Sequence, residues 1–161
     1  MALVNGYSRA QILMHWGVAL LLIVNYVSSD AMRAAWRATH QGRDAYGNTA
    51  AAHVWIGVAV LVLGVVRLGV RLGRGAPGLP EGGHPLADRL AKLTHLGLYL
   101  LILLIPATGI GAWFGGFNLA GEVHEVLFNA LIALVVLHVA AALYHQYVLK
   151  DGLIRRMMRA G

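Results

Sequence analysis

VHEVLFNALIALVVLHVAAALYHQYVLK, residues 123–150, decides how the chain is read. The stretch is apolar enough to cross a membrane as a helix, yet it carries His124, His138 and His145. The interval from His124 to His138 is about 21 Å of helical rise and returns to within roughly 40° of the same direction. His145 lies about 10 Å further along nearly the same face. An imidazole in hydrocarbon is costly unless it has a partner or a ligand. Three on one stripe therefore predict a column of sites running through a bilayer.

Composition points the same way. Of 161 residues, 58% are hydrophobic and 12% charged, against about a quarter charged in a soluble domain. There are no cysteines, which removes disulfides, iron–sulfur clusters, thiolate zinc and the thioether attachment of c-type haem. Any haem must be held non-covalently. The net charge is +6, but the Lys and Arg residues sit beside apolar runs and no nucleic-acid motif accompanies them. They are read as determinants of membrane topology, and no nucleic-acid partner is expected.

Three further apolar runs precede the opening stretch. Residues 10–29 are free of charge and long enough for the roughly 30 Å hydrocarbon core. Residues 50–72 form the second span, with Arg67 and Arg71 in its last turns, and residues 89–114 the third, with Pro106 as an expected kink. The fourth span covers residues 123–149. Residues 30–40, DAMRAAWRATH, read as a short interfacial helix. Residues 73–85 are a Gly- and Pro-rich loop, residues 114–121 a short turn and residues 151–161 a basic tail. Residues 1–9 lack the features of a cleaved signal peptide. The expected fold is an all-α, integral membrane, antiparallel four-helix bundle, one transmembrane domain over residues 1–161. Arg9, Arg67, Arg71, Arg74, Arg89, Lys92, Lys150, Arg155, Arg156 and Arg159 fall on one side, and Arg33, Arg37 and Arg43 on the other. The positive-inside rule then puts both termini in the cytoplasm.

With this topology the histidines fall at two depths. His53 opens the second span and His124 the fourth, both near the outer face. His15, His95, His138 and His145 lie toward the inner face, and His40 and His84 fall in solvated loops. Imidazoles matched in depth on different helices are better explained by a ligand bridging those helices than by packing. Bis-histidine haem b needs two imidazoles about 4 Å apart across a flat ring, a geometry that four-helix bundle cores supply. Zinc would need three or four ligands converging on one point, and carboxylates are nearly absent from the spans. Two haem b groups are therefore expected. Depth supports His53 with His124. At the inner face it leaves His15 paired with His138 or His145, or brings in His95.

YSRAQILMHW at residues 7–16, HVWIGVAVLVLGVVRLGVRL at residues 53–72 and HEVLFNALIALVVLHVAAALYHQYVLKD at residues 124–151 together resemble the bacterial cytochrome b561 family. The likeness is greatest to its four-helix, di-haem members that oxidise superoxide. The resemblance covers nearly the whole chain. It implies haem iron ligands His53 and His124 on the outer side and His15 and His138 on the inner side. It also implies oxidation of superoxide to dioxygen at the periplasmic face of the bacterial inner membrane, with electrons passing through the two haems to ubiquinone.

Several residues carry two readings each. His145 and His95, left over at the inner face, are either a quinone site or interfacial packing residues. A quinone needs hydrogen-bond donors and a proton source, and imidazole supplies both. Arg67 pairs with a haem propionate or reaches the headgroups, while Arg71 is read as reaching the headgroups. Gly17, Gly57 and Gly64 admit a flat macrocycle or mark helix contacts. Glu125 orients His124 or lies among headgroups, and Trp36, Trp55 and Trp113 form interfacial belts. Superoxide is an anion, so an outer basic patch would raise its local concentration. Arg33, Arg37 and Arg43 are the candidates for steering, with His40 nearby. The family's members carry charge in a longer third loop, whereas residues 114–121 have none. The alternatives are a cytochrome b fed by a periplasmic redox protein or dehydrogenase, a membrane anchor subunit, and a haem-free, histidine-lined transporter.

Overall fold

A computed structural model describes residues 6–43, 47–78 and 85–161, so His84 lies outside the described residues. Five α-helices follow one another: α1 (Arg9–Val27), α2 (Ser29–His40), α3 (Asn48–Arg74), α4 (Pro85–Trp113) and α5 (Asn118–Tyr144). A π-helical turn, His145–Leu149, and a 3-10 turn, Ile154–Met157, complete the chain. No strand occurs among the described residues. Four of the helices are long and apolar enough to cross a membrane, the last of them running from Asn118 to Leu149.

Local chemistry explains the helix ends. Ser8 and Gln11 form a reciprocal capping box at the start of α1, and the Gln11 side chain then donates to the Gly75 carbonyl at 3.0 Å. That bond ties the start of α1 to the end of α3. Gly75 takes φ 78° and stops α3. Pro85 opens α4, where its missing N–H costs nothing. Between α4 and α5 only residues 114–117 are non-helical, so the expected turn over 114–121 is shorter than read. His124 consequently sits inside α5, about two turns from its start, and not at its beginning.

The buried core is small and lies at mid-depth. Val18, Val60 and Leu131 are at most 2% exposed, and Ile102 joins them, one residue from each long helix. Gly64 brings α3 close to α4, since a Cβ there would lie 2.9 Å from Ile102 Cγ2. Large apolar side chains such as Leu13, Leu20, Val62, Leu93 and Val136 point outward from the bundle. A lipid-facing surface needs such residues, and no water-driven core is required to hold it.

The start of α1 and the end of the chain lie together, where the Gly161 N–H reaches the Tyr7 carbonyl at 3.4 Å. Trp16 Nε1 donates to the Met157 carbonyl at 2.9 Å, and Arg156 to the Gly78 carbonyl at 2.8 Å. This end is called terminal below, and the opposite end distal. At the distal end α2 turns out of α1 and packs against α3 and across the mouth of the bundle.

Candidate functional site

The mid-depth apolar layer separates two groups of histidines. On α5, Leu131 lies about 10 Å of rise from His124 on one side and from His138 on the other. The interval read from the sequence as a column is therefore a column interrupted by hydrocarbon.

At the distal end α3 supplies His53 and α5 supplies His124, with ring centroids 6.4 Å apart and planes inclined at 67°. Each ring is held by its Nδ1. His124 Nδ1–H donates to the Ile105 carbonyl at 2.7 Å. His53 Nδ1 lies 3.1 Å from Ser28 Oγ, whose own hydrogen goes to the Asn25 carbonyl at 3.0 Å. Ser28 Oγ therefore accepts from His53. Both rings are thereby left with an unprotonated Nε2. That is the tautomer a metal-ligating imidazole needs, fixed by its second hydrogen bond. Two imidazoles on opposite faces of one iron have nitrogens about 4 Å apart and centroids about 6 Å apart. The centroid separation of the distal pair fits a haem iron.

The space beside the pair fits as well. A cavity of about 520 Å³ extends from His53 and His124 to α2, and Asn25 and Gly109 line it. Gly109 is required there, because a Cβ would lie 3.0 Å from His124 Cε1. The Asn25 Oδ1 is buried without a hydrogen-bond partner. Gly57 also lines the cavity, and a Cβ there would meet Asn25 Nδ2 at 3.6 Å.

The steering residues divide. Arg33 is paired with Asp30 at 2.9 Å and with Glu125 at 3.4 Å, so its charge is balanced locally. Arg43 hydrogen-bonds Gln41 and stands outside the cavity. Arg37 lines the cavity with no acidic partner among the described residues. His40 is not the loop residue expected. It ends α2, donates from Nδ1 to the Trp36 carbonyl at 2.9 Å, and donates from Nε2 to Asn118 Oδ1 at 2.6 Å. The Asn118 and Trp36 bonds raise its pKa above the ordinary imidazole value. Trp36 lies 6.2 Å from Trp113, with the rings tilted by 41°, and rests on Gly121; both indoles line the cavity.

At the terminal end three imidazoles meet. His138 of α5 lies 6.4 Å from His15 of α1 and 5.3 Å from His95 of α4, centroid to centroid. His95 Nδ1–H donates to the Ala91 carbonyl at 2.6 Å, leaving its Nε2 unprotonated. His15 Nδ1 instead accepts from the Arg67 guanidinium at 2.9 Å, so its proton is on Nε2. Ligation through that nitrogen requires Arg67 to release Nδ1. Arg67 and Arg71 both lie over the Tyr99 ring, at 5.4 and 5.6 Å.

His145 is not part of this trio. It starts the π-helical turn, and its Nδ1 meets Asp151 Oδ2 at 2.5 Å. Asp151 Oδ1 accepts the Leu153 N–H at 3.0 Å. Burial pushes the Asp151 carboxyl up, but the hydrogen bonds from His145 and Leu153, and the nearby Arg156, outweigh it and hold it below the ordinary value.

Ser28, Ile105, Gly109, Tyr99 and Asp151 were not singled out from the sequence. Tyr99 had a faint signal, one helical turn after His95. Ser28 and the Ile105 carbonyl had none, since each acts on a histidine from a different helix.

Comparison with known proteins identifies the family. The family profile of prokaryotic cytochrome b561 matches residues 6–160. Cytochrome b562 of Cereibacter sphaeroides is 44% identical over 154 residues, covering 96% of each chain. "Probable superoxide oxidase CybB" of Yersinia pestis is 32% identical, over 94% of this chain and 95% of that protein. "Cytochrome b561 homolog 1" of Escherichia coli is 28% identical, over 96% and 97%. The chain thus belongs to the prokaryotic cytochrome b561 family, as a multi-pass bacterial membrane protein that binds haem b and carries electrons.

Proposed function

We propose that the chain is a superoxide:ubiquinone oxidoreductase, one transmembrane domain in the bacterial inner membrane with both termini cytoplasmic. The distal end then faces the periplasm. His53 and His124 would hold one haem b, and His15 and His138 the other, with Arg67 beside the latter. The observation that carries the reading is the distal pair. Its rings stand 6.4 Å apart, each locked through Nδ1, beside a cavity that opens toward Arg37. The printed name of the Yersinia pestis relative supports the choice of substrate.

Bound haem supplies one-electron transfer between the two ends. The chain's own residues do the rest. Arg37 draws an anion toward the distal cavity, Trp36 and Trp113 restrict its mouth, and Ser28 and the Ile105 carbonyl hold the two imidazoles for ligation. Two superoxide ions each lose one electron and leave as dioxygen. At the terminal end His145 and His95 face a ubiquinone, which takes two electrons and two protons from the cytoplasmic side.

A second reading is an electron carrier between a periplasmic redox protein or dehydrogenase and the quinone pool. The pairing of Arg33 with Asp30 and Glu125 favours it, because it removes one steering charge. So does the cytochrome name of the 44% relative. Stopped-flow mixing of the purified protein with superoxide and a ubiquinone analogue separates the two. The first reading expects haem reduction well above a bis-imidazole haem control, with one quinol formed per two superoxide consumed. Reduction no faster than the control leaves only the carrier. In parallel, His53→Ala and His124→Ala are each expected to lower haem content by one per chain, and retention of two haems overturns the distal assignment.

A further inference from the structure

The terminal end holds a dyad that the haem sites do not use. His145 opens a π-helical turn at the end of the last span, an irregularity frequent at functional sites. The chain then reverses through Lys150, at φ 56°, and Gly152, at φ 72°. This reversal brings Asp151 back onto the ring, with Oδ2 2.5 Å from His145 Nδ1. The carboxylate is itself fixed, because Oδ1 accepts the Leu153 N–H at 3.0 Å. Its side chain is only 18% exposed and that of His145 28%. Nδ1 thus stays occupied by an acceptor and Nε2 points away from it. In this arrangement a carboxylate fixes the tautomer of an imidazole and stabilises the cation formed when Nε2 gains a proton.

We propose that Asp151 is a positioning residue for His145 in the protonation of a quinone at the terminal end. The inference rests on the quinone reading given above. The quinone receives two electrons from the haem b electron carrier. At each protonation the N–H bond at His145 Nε2 breaks and an O–H bond forms on a quinone oxygen. The ring is left neutral with its proton on Nδ1, held by Asp151, and regains the Nε2 proton from cytoplasmic water. Two such transfers convert quinone to quinol.

Asp151→Asn tests this sharply. Its amide oxygen keeps the Leu153 N–H, so its NH₂ group turns to Nδ1 and forces the proton to Nε2, the reverse tautomer. Nitrogen-15 NMR of the histidine rings in the haem-loaded protein, assigned with His145→Gln, reads the change directly. Wild type and Asp151→Glu are expected to carry the proton on Nδ1, and Asp151→Asn on Nε2. Stopped-flow reoxidation of pre-reduced haem by a ubiquinone analogue gives the second readout. A positioned proton donor is worth roughly a hundredfold or more. His145→Gln is therefore expected to slow quinol formation about a hundredfold and Asp151→Asn at least about tenfold, with Asp151→Glu within about twofold of wild type. A wild-type tautomer or a wild-type rate in Asp151→Asn, at unchanged haem content, overturns the proposal. A wild-type rate in His145→Gln instead removes the quinone reading at this end, while the tautomer measurement still decides whether Asp151 sets the ring.

Discussion

His53 and His124 derive their usefulness from atoms that are not theirs. An imidazole ligates through one nitrogen only if the other is committed, and here Ser28 and the Ile105 carbonyl make that commitment. Loss of such a partner costs roughly ten- to a hundredfold in metal affinity. Ser28→Ala is accordingly expected to weaken haem binding at the distal pair by about tenfold, read by titrating apoprotein with haem. His40 behaves differently. Its two donated bonds, to Asn118 and Trp36, can coexist only in the doubly protonated ring. A pKa raised on folding stabilises at low pH and ceases to do so as pH rises through the raised value. Amide exchange in α2 is expected to quicken across that interval relative to its rate at lower pH. His40→Gln should abolish the pH-dependent part, measured by hydrogen–deuterium exchange.

At the scale of elements, α2 was read as a short interfacial helix; it is helical over Ser29–His40 and it also roofs the distal cavity. Three contacts reach α5 from it: Arg33 to Glu125, His40 to Asn118, and Trp36 over Gly121. These contacts depend on α5 starting at Asn118, earlier than the apolar run alone indicated. Asn118, Gly121 and Glu122 look like turn residues in a hydropathy reading, yet they satisfy the helix pattern once Phe117 precedes them as the N-cap. Helix α4 matters through Gly109. A methyl group there would lie 3.0 Å from His124 Cε1 and 3.1 Å from Nδ1. Gly109→Ala is expected to displace the ring, break its bond to Ile105 and lower distal haem affinity roughly tenfold. If the chain holds two haems as proposed, the spectrum of the purified variant should show down to about half the wild-type haem per chain.

On the scale of the whole molecule, charge is distributed by end. Net charge is +6, yet among the described residues Arg37 is the guanidinium lining the distal cavity without an acidic partner. Steering of a small anion by such a field is screened by salt. Haem reduction by superoxide is therefore expected to slow with ionic strength. Arg37→Gln should reduce the low-salt rate by about threefold and flatten that salt dependence, whereas Arg43→Gln should leave both unchanged. A salt-independent rate in wild type would contradict the steering role.

The four spans, the antiparallel order and the two histidine depths were legible in the linear chain. Hydrocarbon length and charge asymmetry act through composition, and residues seven or fourteen apart share a helix face whatever surrounds them. His53 opposite His124 followed from depth alone. The partner of His138 did not, because His15 and His95 approach it at similar depth from different helices. Their Nδ1 atoms meet different groups, Arg67 in one case and the Ala91 carbonyl in the other, and the choice of His15 over His95 is the one the family resemblance implies. Likewise the neutralisation of Arg33, the lining of the cavity by Trp36 and the return of Asp151 onto His145 arise between elements. Periodicity along one helix specifies which face a side chain occupies. Only the packing of that helix against its neighbours specifies which donor or acceptor waits there, and in a low-dielectric bundle that neighbour sets the tautomer and charge on which function turns.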